Sequence, residues 1–197
     1  MIMILIIDNI CNYKESFYNS IILPTDLQNK YDTLLLDKPK QMVKLSHCLK
    51  QHLANRLLLD NYSVLYYEHG KPYLIDNTNN DVYEFNISHH KDDIVLYYNN
   101  NQRVGIDILN TKQLHISSFD CDFFSCEEKE YCVNIENFCK VWTAKEAYVK
   151  FLGTGLQENI STINLLPYLD GTPFHNVFFR FLNENHILIC ICEILND

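Results

Sequence analysis

From Tyr83 to Leu109 the chain runs through three segments, YEFNISHH, DIVLYY and RVGIDIL, separated by little more than a turn each. Their β-branched and aromatic residues read as successive strands, which makes β-sheet unavoidable in this fold. Near the other end FHNVFFRFL and HILICICEIL, on either side of Asn183-Glu184-Asn185, read as a β-hairpin. Asn99-Asn100-Asn101-Gln102 is expected to be a hairpin turn joining the second and third of the strands. The opening MIMILIIDNI reads as a first buried strand. Residues 62–67 and 73–75 look extended, with a polar turn at 76–81.

Helices fall between these strands. Residues 40–59 repeat Met42, Leu45, Leu49, Leu53 and Leu57 at helical spacing, with Asp37 and Pro39 as entry signals. Ser125-Cys126-Glu127-Glu128 fits a capping box opening a helix. A further helix over about 136–152 should stop at Gly153. The fold class is therefore mixed α/β (α+β), and the nearest thing to a domain boundary is the Asn-rich turn at 99–101.

At 197 residues and 47% hydrophobic content, the chain can bury one good core, as a single domain or as two packed halves. Its net charge of -9, with no basic block, argues against a protein that coats nucleic acid. Any basic site must be local. The apolar start has no basic leader or small-residue cleavage site and falls far short of the roughly 20 residues that span a bilayer. A cytoplasmic protein is expected, with no membrane segment and with reduced thiols. Among these, Cys190-x-Cys192 puts two sulfurs on one strand face, where core packing is favoured over metal binding.

Glycine is scarce, five in all, so its places are informative. HGKPYL, VGIDIL and FLGTGL each set a glycine beside charged residues able to handle phosphate, and glycine permits close backbone approach to a ligand. Within VGIDILN, Asp107 stands alone among apolar residues, and a buried carboxylate is costly unless paired or bound to a metal. Its partner is sought in KVWTAKEAYVKFLGTGL. There Glu146 and Lys150 share a helix face with Trp142, and Lys145 points about 100° away. Two carboxylates from different elements beside an ammonium suit Mg²⁺ holding a phosphate.

GKP at 70–72, FNISHH at 85–90, VGIDI at 104–108, FFSCEEKEY at 123–131 and VWTAKEAYVKFLGTGL at 141–156 occur in that order. In order and spacing they resemble the 4'-phosphopantetheinyl transferases of the surfactin-synthetase-activating type. The resemblance implies a pseudo-dimer of two similar α/β halves, taken as 1–101 and 102–197, with the active site in the cleft between them. It implies transfer of 4'-phosphopantetheine from coenzyme A to a serine of an apo-carrier protein, acyl or peptidyl, with release of 3',5'-ADP. Asp107 and Glu146 match the family's metal-binding carboxylates, and Lys150 the lysine approaching the coenzyme A diphosphate. Lys71 and His89 match groups on the nucleotide phosphates, while Gly70, Pro72 and Ser88 lie in coenzyme A loops. Lys44 and Lys30 fall, by spacing, where the family has basic residues near the 3'-phosphate. Glu146 or Glu128 would take the serine proton, and a monomer is expected. The chain departs from many members at Leu109, where they carry a third carboxylate.

Plainer readings stay open beside these. Asp107 reads also as a strand-end turn residue, Glu146 and Lys150 as an exposed i,i+4 pair, and His89 as a core histidine. Glu128 reads as a capping residue alone, Trp142 as core and Lys71 as a solvated cation. At the level of the whole chain, the rivals are a Mg²⁺-dependent nuclease and a catalytically inactive homologue that binds a carrier protein. The usual Glu-x-Lys spacing and a basic DNA surface are missing for the first.

Overall fold

The computed structural model describes residues 3–100, 102–114, 123–155 and 160–194. Met1, Ile2, Asn101, Cys121, Leu156 and Leu195, which figure in the expectations above, lie outside them. In chain order the elements are β1 (Met3–Asn9), α1 (Glu15–Ser20), α2 (Thr25–Thr33), α3 (Asp37–Arg56), β2 (Tyr62–Tyr66), β3 (Pro72–Asp76), β4 (Val82–His90), β5 (Asp93–Asn99) and β6 (Val104–Asn110). Then follow α4 (Cys126–Tyr131), α5 (Ile135–Leu152), β7 (Val177–Glu184) and β8 (Ile187–Ile194).

Two antiparallel sheets result, ordered β1-β5-β4-β3-β2 and β6-β8-β7. They stack between two helices, giving layers α3, first sheet, second sheet, α5. Strand alternation explains the layering. Ile94, Leu96 and Tyr98 of β5 pack with Leu45, Leu49 and Leu53 of α3. Val95 and Tyr97 point the other way, onto Val104, Ile106 and Ile108 of β6 and Ile187, Ile189 and Ile191 of β8. On the far side of β8, Leu188, Cys190 and Cys192 meet α5. Strands buried on both faces read as continuous apolar runs, and all of β5 is buried. Cys190 and Cys192 do serve the core, and none of the seven described cysteines is in a disulfide.

Three expectations need correction. Residues 99–102 do not make a hairpin: Gln102 N–H donates to Asn99 O, but β5 pairs with β1 and β4 and β6 pairs with β8. Both edges of β5 are already taken, so the turn carries the chain into the second sheet. The first strand is not buried: β1 is a sheet edge, with Ile4 inside and Met3 and Ile7 exposed. The tail hairpin turns at Asn185-His186, whose φ of 47° and 77° suit a two-residue turn, rather than across residues 183–185.

The helix limits agree more closely. α3 starts at Asp37 with Pro39 in its first turn. The capping box at Ser125 and Glu128 is complete. α5 ends at Gly153 with φ 71°, a left-handed cap that glycine adopts without strain. Among the described residues, no helix is long and apolar enough to cross a membrane.

Candidate functional site

The site forms where the two sheets meet. β6 is an edge strand, and an unpaired edge needs partners for its backbone. Alternate residues of β4 supply them. Asn86 Oδ1 accepts from Ile106 N–H at 2.8 Å, and His90 Nδ1 accepts from Asn110 N–H at 3.1 Å. Between them Ser88 Oγ donates to Asp107 Oδ1 at 2.8 Å. Asp107 is thus seated by strand register, 5% exposed, at the joint between sheets.

α5 reaches the same point because it crosses β6 at a glycine. A Cβ on Gly105 would lie 2.0 Å from Ala147 O and 2.5 Å from Phe151 N. This glycine therefore serves helix packing. The contact centres on Ala147, so Glu146 and Lys150 arrive beside Asp107. Lys150 Nζ donates to Asp107 Oδ1 at 2.5 Å and to Ser88 Oγ at 2.8 Å. All of this uses Oδ1; among the described residues no hydrogen bond reaches Oδ2.

Glu146 makes no hydrogen bond among the described residues. Burial pushes its carboxyl above the usual carboxylate range, and the Asp107 charge adds to this against the opposing pull of Lys150. Two carboxylates in mutual repulsion, with one oxygen of Asp107 and all of Glu146 unengaged, fit a divalent cation. No cluster of three or more His, Cys, Asp or Glu side chains suited to a metal occurs among the described residues. Leu109 shares the Asp107 face, as alternation requires, but is buried in the apolar core with α5.

Beside this point opens a cleft of about 560 Å³ whose lining includes Lys30, Lys38, Lys50, Lys91, Gly70, Pro72 and His89 and no acidic residue. This is the local basic site that an acidic chain required. Burial and the neighbouring Lys150 hold the His89 imidazole below its ordinary pKa, so it is neutral near pH 7. His89 is exposed to the cleft, which removes the core reading.

Three of the candidate residues are placed elsewhere. Lys71 is 7% exposed and donates to Val104 O at 3.0 Å and Phe151 O at 3.4 Å, with Glu84 Oε2 at 3.4 Å. It ties the end of α5 to both sheets, and meeting a phosphate would require giving up these oxygens. Lys44 donates to Tyr18 O at 2.7 Å beneath the Tyr31 ring, and so holds α1 and α2 onto α3. Glu128 is fully buried: Oε1 accepts from Leu165 N–H, and Oε2 accepts from Ser125 N–H and from Lys145 Nζ at 2.7 Å. A group that takes a substrate's proton must touch it, so the catalytic expectation for Glu128 is corrected to a structural one.

Sequence reading missed Lys50, Lys38 and Lys91 in the cleft. Lys38 and Lys91 carry no motif. Lys50 does carry a signal, a lysine on the apolar stripe of α3 at Leu49-Lys50-Leu53. The Lys145–Glu128 pair was hidden because its members belong to different helices.

Residues 103–190 match a family model described as the 4'-phosphopantetheinyl transferase superfamily. The chain is 30% identical over 139 residues to the 4'-phosphopantetheinyl transferase gsp of Aneurinibacillus migulanus, covering 67% of this chain and 54% of that protein. It is 27% identical over 110 residues to the L-aminoadipate-semialdehyde dehydrogenase-phosphopantetheinyl transferase of Xenopus laevis, covering 48% of this chain and 36% of the relative. A Thraustochytrium phosphopantetheinyl transferase is 27% identical over 107 residues, 45% of this chain and 37% of that protein. The chain thus spans roughly a third to a half of these curated relatives. Joined to the motif order and to the Asp107, Glu146 and Lys150 constellation, these matches make the 4'-phosphopantetheinyl transferase superfamily the family that this chain resembles.

Proposed function

We propose that this protein moves 4'-phosphopantetheine from coenzyme A to a serine hydroxyl of an apo-acyl or peptidyl carrier protein, with Mg²⁺, releasing 3',5'-ADP. The observation that carries the reading is the meeting of Asp107, Ser88, Lys150 and Glu146, which has no hydrogen bond among the described residues, beside a cleft lined by lysines, of which Lys38 is paired with Asp92. Displacement at a diphosphate phosphorus needs its oxygens neutralised and the attacking hydroxyl deprotonated. The cleft's lysines and the neutral His89 suit the nucleotide phosphates, and Lys150 presents its ammonium where the diphosphate would pass. Asp107 and Glu146 would hold the metal, which supplies Lewis-acid neutralisation of the phosphate oxygens. Of the carboxylates considered for the serine proton, Glu146 opens on the site and Glu128 does not; its raised basicity favours the role. The same reading takes residues 1–101 and 102–197 as similar halves facing each other, a view supported by one long helix on the outer face of each sheet.

The test incubates the protein with coenzyme A, Mg²⁺ and a panel of apo-carriers, then follows carrier mass and 3',5'-ADP. Transfer is expected with at least one carrier and is expected to vanish in Asp107→Ala and Glu146→Ala. Mg²⁺ should also raise the thermal midpoint of the wild type and not of Glu146→Ala, because a ligand bound only by the folded state stabilises it. Near wild-type turnover in either variant would overturn the metal assignment.

A further inference from the structure

A second cavity, about 620 Å³, lies on the other side of Lys50 and Tyr66 from the cationic cleft. It runs between the chain leading into α2, the face of α3 that carries His47, Lys50 and Gln51, and the free edge of β2. Its size is within the roughly 300–1,000 Å³ of small-molecule pockets, which are mostly apolar with a few convergent polar groups. Ile22, Leu27, Val64 and Leu65 supply the apolar walls.

Of the polar side chains on its walls, two stand one helical turn apart and are each more than nine-tenths buried. His47 is 7% exposed and has no hydrogen-bond partner among the described residues. Lys50 is 6% exposed; among the described residues its one hydrogen-bond contact is a long 3.4 Å approach to Tyr66 Oη, with its ammonium 5.6 Å from the centre of the same ring. Asp26 stands on the same cavity wall, and its charge favours the protonated forms of Lys50 and His47, but it forms no ion pair with Lys50 among the described residues. Burial, and then the charge of Lys30, bring the Lys50 ammonium down to about 8. A buried cation without an ion pair is expensive, and the other described buried lysines have backbone or carboxylate oxygens in reach, as Lys44, Lys71 and Lys145 do. An imidazole N–H and an ammonium on adjacent turns of α3 line one cavity, a pair of donors that suits a single carboxylate.

We propose that this groove binds a carboxylate with an apolar tail, its oxygens on Lys50 and His47 and its tail along Leu27, Val64 and Leu65. Because Lys50 also lines the cationic cleft, an occupant here competes with the cleft for one ammonium. The groove does not depend on the transferase reading, and its test needs no carrier and no coenzyme A.

Octanoate and octanol are titrated into the protein by calorimetry, with thermal melts confirming that each variant is folded. Octanoate is expected to bind with one site and at least tenfold more tightly than octanol. Lys50→Met should weaken octanoate at least tenfold and leave octanol unchanged. Leu65→Glu, at a position 40% exposed and therefore tolerant of charge, should also weaken octanoate by repulsion at the mouth, and it decides the matter should Lys50→Met fail to fold. Equal binding of octanoate and octanol would overturn the proposal. So would octanoate binding that survives Leu65→Glu and is lost in Lys91→Glu, because the ligand would then sit in the neighbouring cleft.

Discussion

Gly105 shows how one residue sets the geometry of the site. Its missing side chain lets α5 lie directly on β6, with Ala147 O and Phe151 N where a Cβ would stand. Gly105→Ala must therefore lift the helix from the sheet, because backbone atoms on both sides cannot step aside. A loss of more than about 4 kcal/mol is expected, within the class of severe overpacking effects. Urea unfolding of any folded variant, or its failure to accumulate in soluble form, checks this. An unchanged midpoint would mean that α5 does not rest on β6 as described. The glycine's neighbours Asp107 and Ile106 are held by β4 side chains rather than by a strand partner on that edge, so the residue scale already involves three elements.

At the scale of elements, α4 and α5 are joined by a buried charge pair. Glu128 closes the capping box of α4, and its carboxylate then serves Lys145 of α5 and the backbone N–H of Leu165. Lys145 in turn donates to Ile160 O and Ile163 O at 2.7 and 2.8 Å. The pair thus pins a loop to two helices. Removing one member of a buried pair leaves the other uncompensated, at a cost of about 3–5 kcal/mol. Glu128→Gln and Lys145→Met should each lose an amount of that order, and the double variant should lose clearly less than their sum. Urea unfolding of the four proteins completes the cycle. Additive losses would show that the two charges do not depend on each other.

For the molecule as a whole, the cost of burying titratable groups should appear in the pH dependence of stability. Burial holds His47 and His90 below the ordinary histidine pKa of 6.5, and His90 Nδ1 accepts a backbone hydrogen bond that only the neutral ring can take. The unfolded chain takes up these protons first, so stability should fall as pH drops below about 6.5, by up to about 1.4 kcal/mol per pH unit for each group. Lys50 acts at the other end. Its folded value of about 8 lies under the ordinary lysine value of 10.5, so between these the unfolded state binds more protons and stability should rise with pH. The gain is on the order of 2 kcal/mol. Unfolding free energies from pH 5 to 10 test both limbs, and Lys50→Met should lack the alkaline rise. Above pH 10 the trend should turn down, since Tyr13, Tyr18 and Tyr67 are raised to about 12 and favour the folded state only while protonated. The buried thiols of Cys139, Cys190 and Cys192, pushed up by burial, oppose the alkaline rise in both proteins, so the decisive quantity is the difference between them: equal slopes from pH 8 to 10 in the wild type and Lys50→Met would show that Lys50 is not held at a lowered pKa in the folded protein.

Local physics was enough to read much of this protein from its residues. Helical spacing and caps located α3, α4 and α5 because apolar periodicity and end chemistry act within a few turns. Motif order brought out Asp107, Glu146 and Lys150, two of which share a helix face by spacing alone. Tertiary structure decided what each charge faces. Spacing could not distinguish Lys50, set between two cavities without an ion pair among the described residues, from Lys44 and Lys71, whose ammoniums are held by carbonyls of other elements. Glu128 looked like a capping residue and is one, yet the lysine it neutralises lies 17 residues further on and in another helix. The turn at 99–102 was legible as a turn, but whether its strands pair depends on which sheet edges remain free, and β1 and β4 had taken both edges of β5. Hydrogen-bond partners and burial are properties of distant chain segments meeting, and a sequence read in order does not record those meetings.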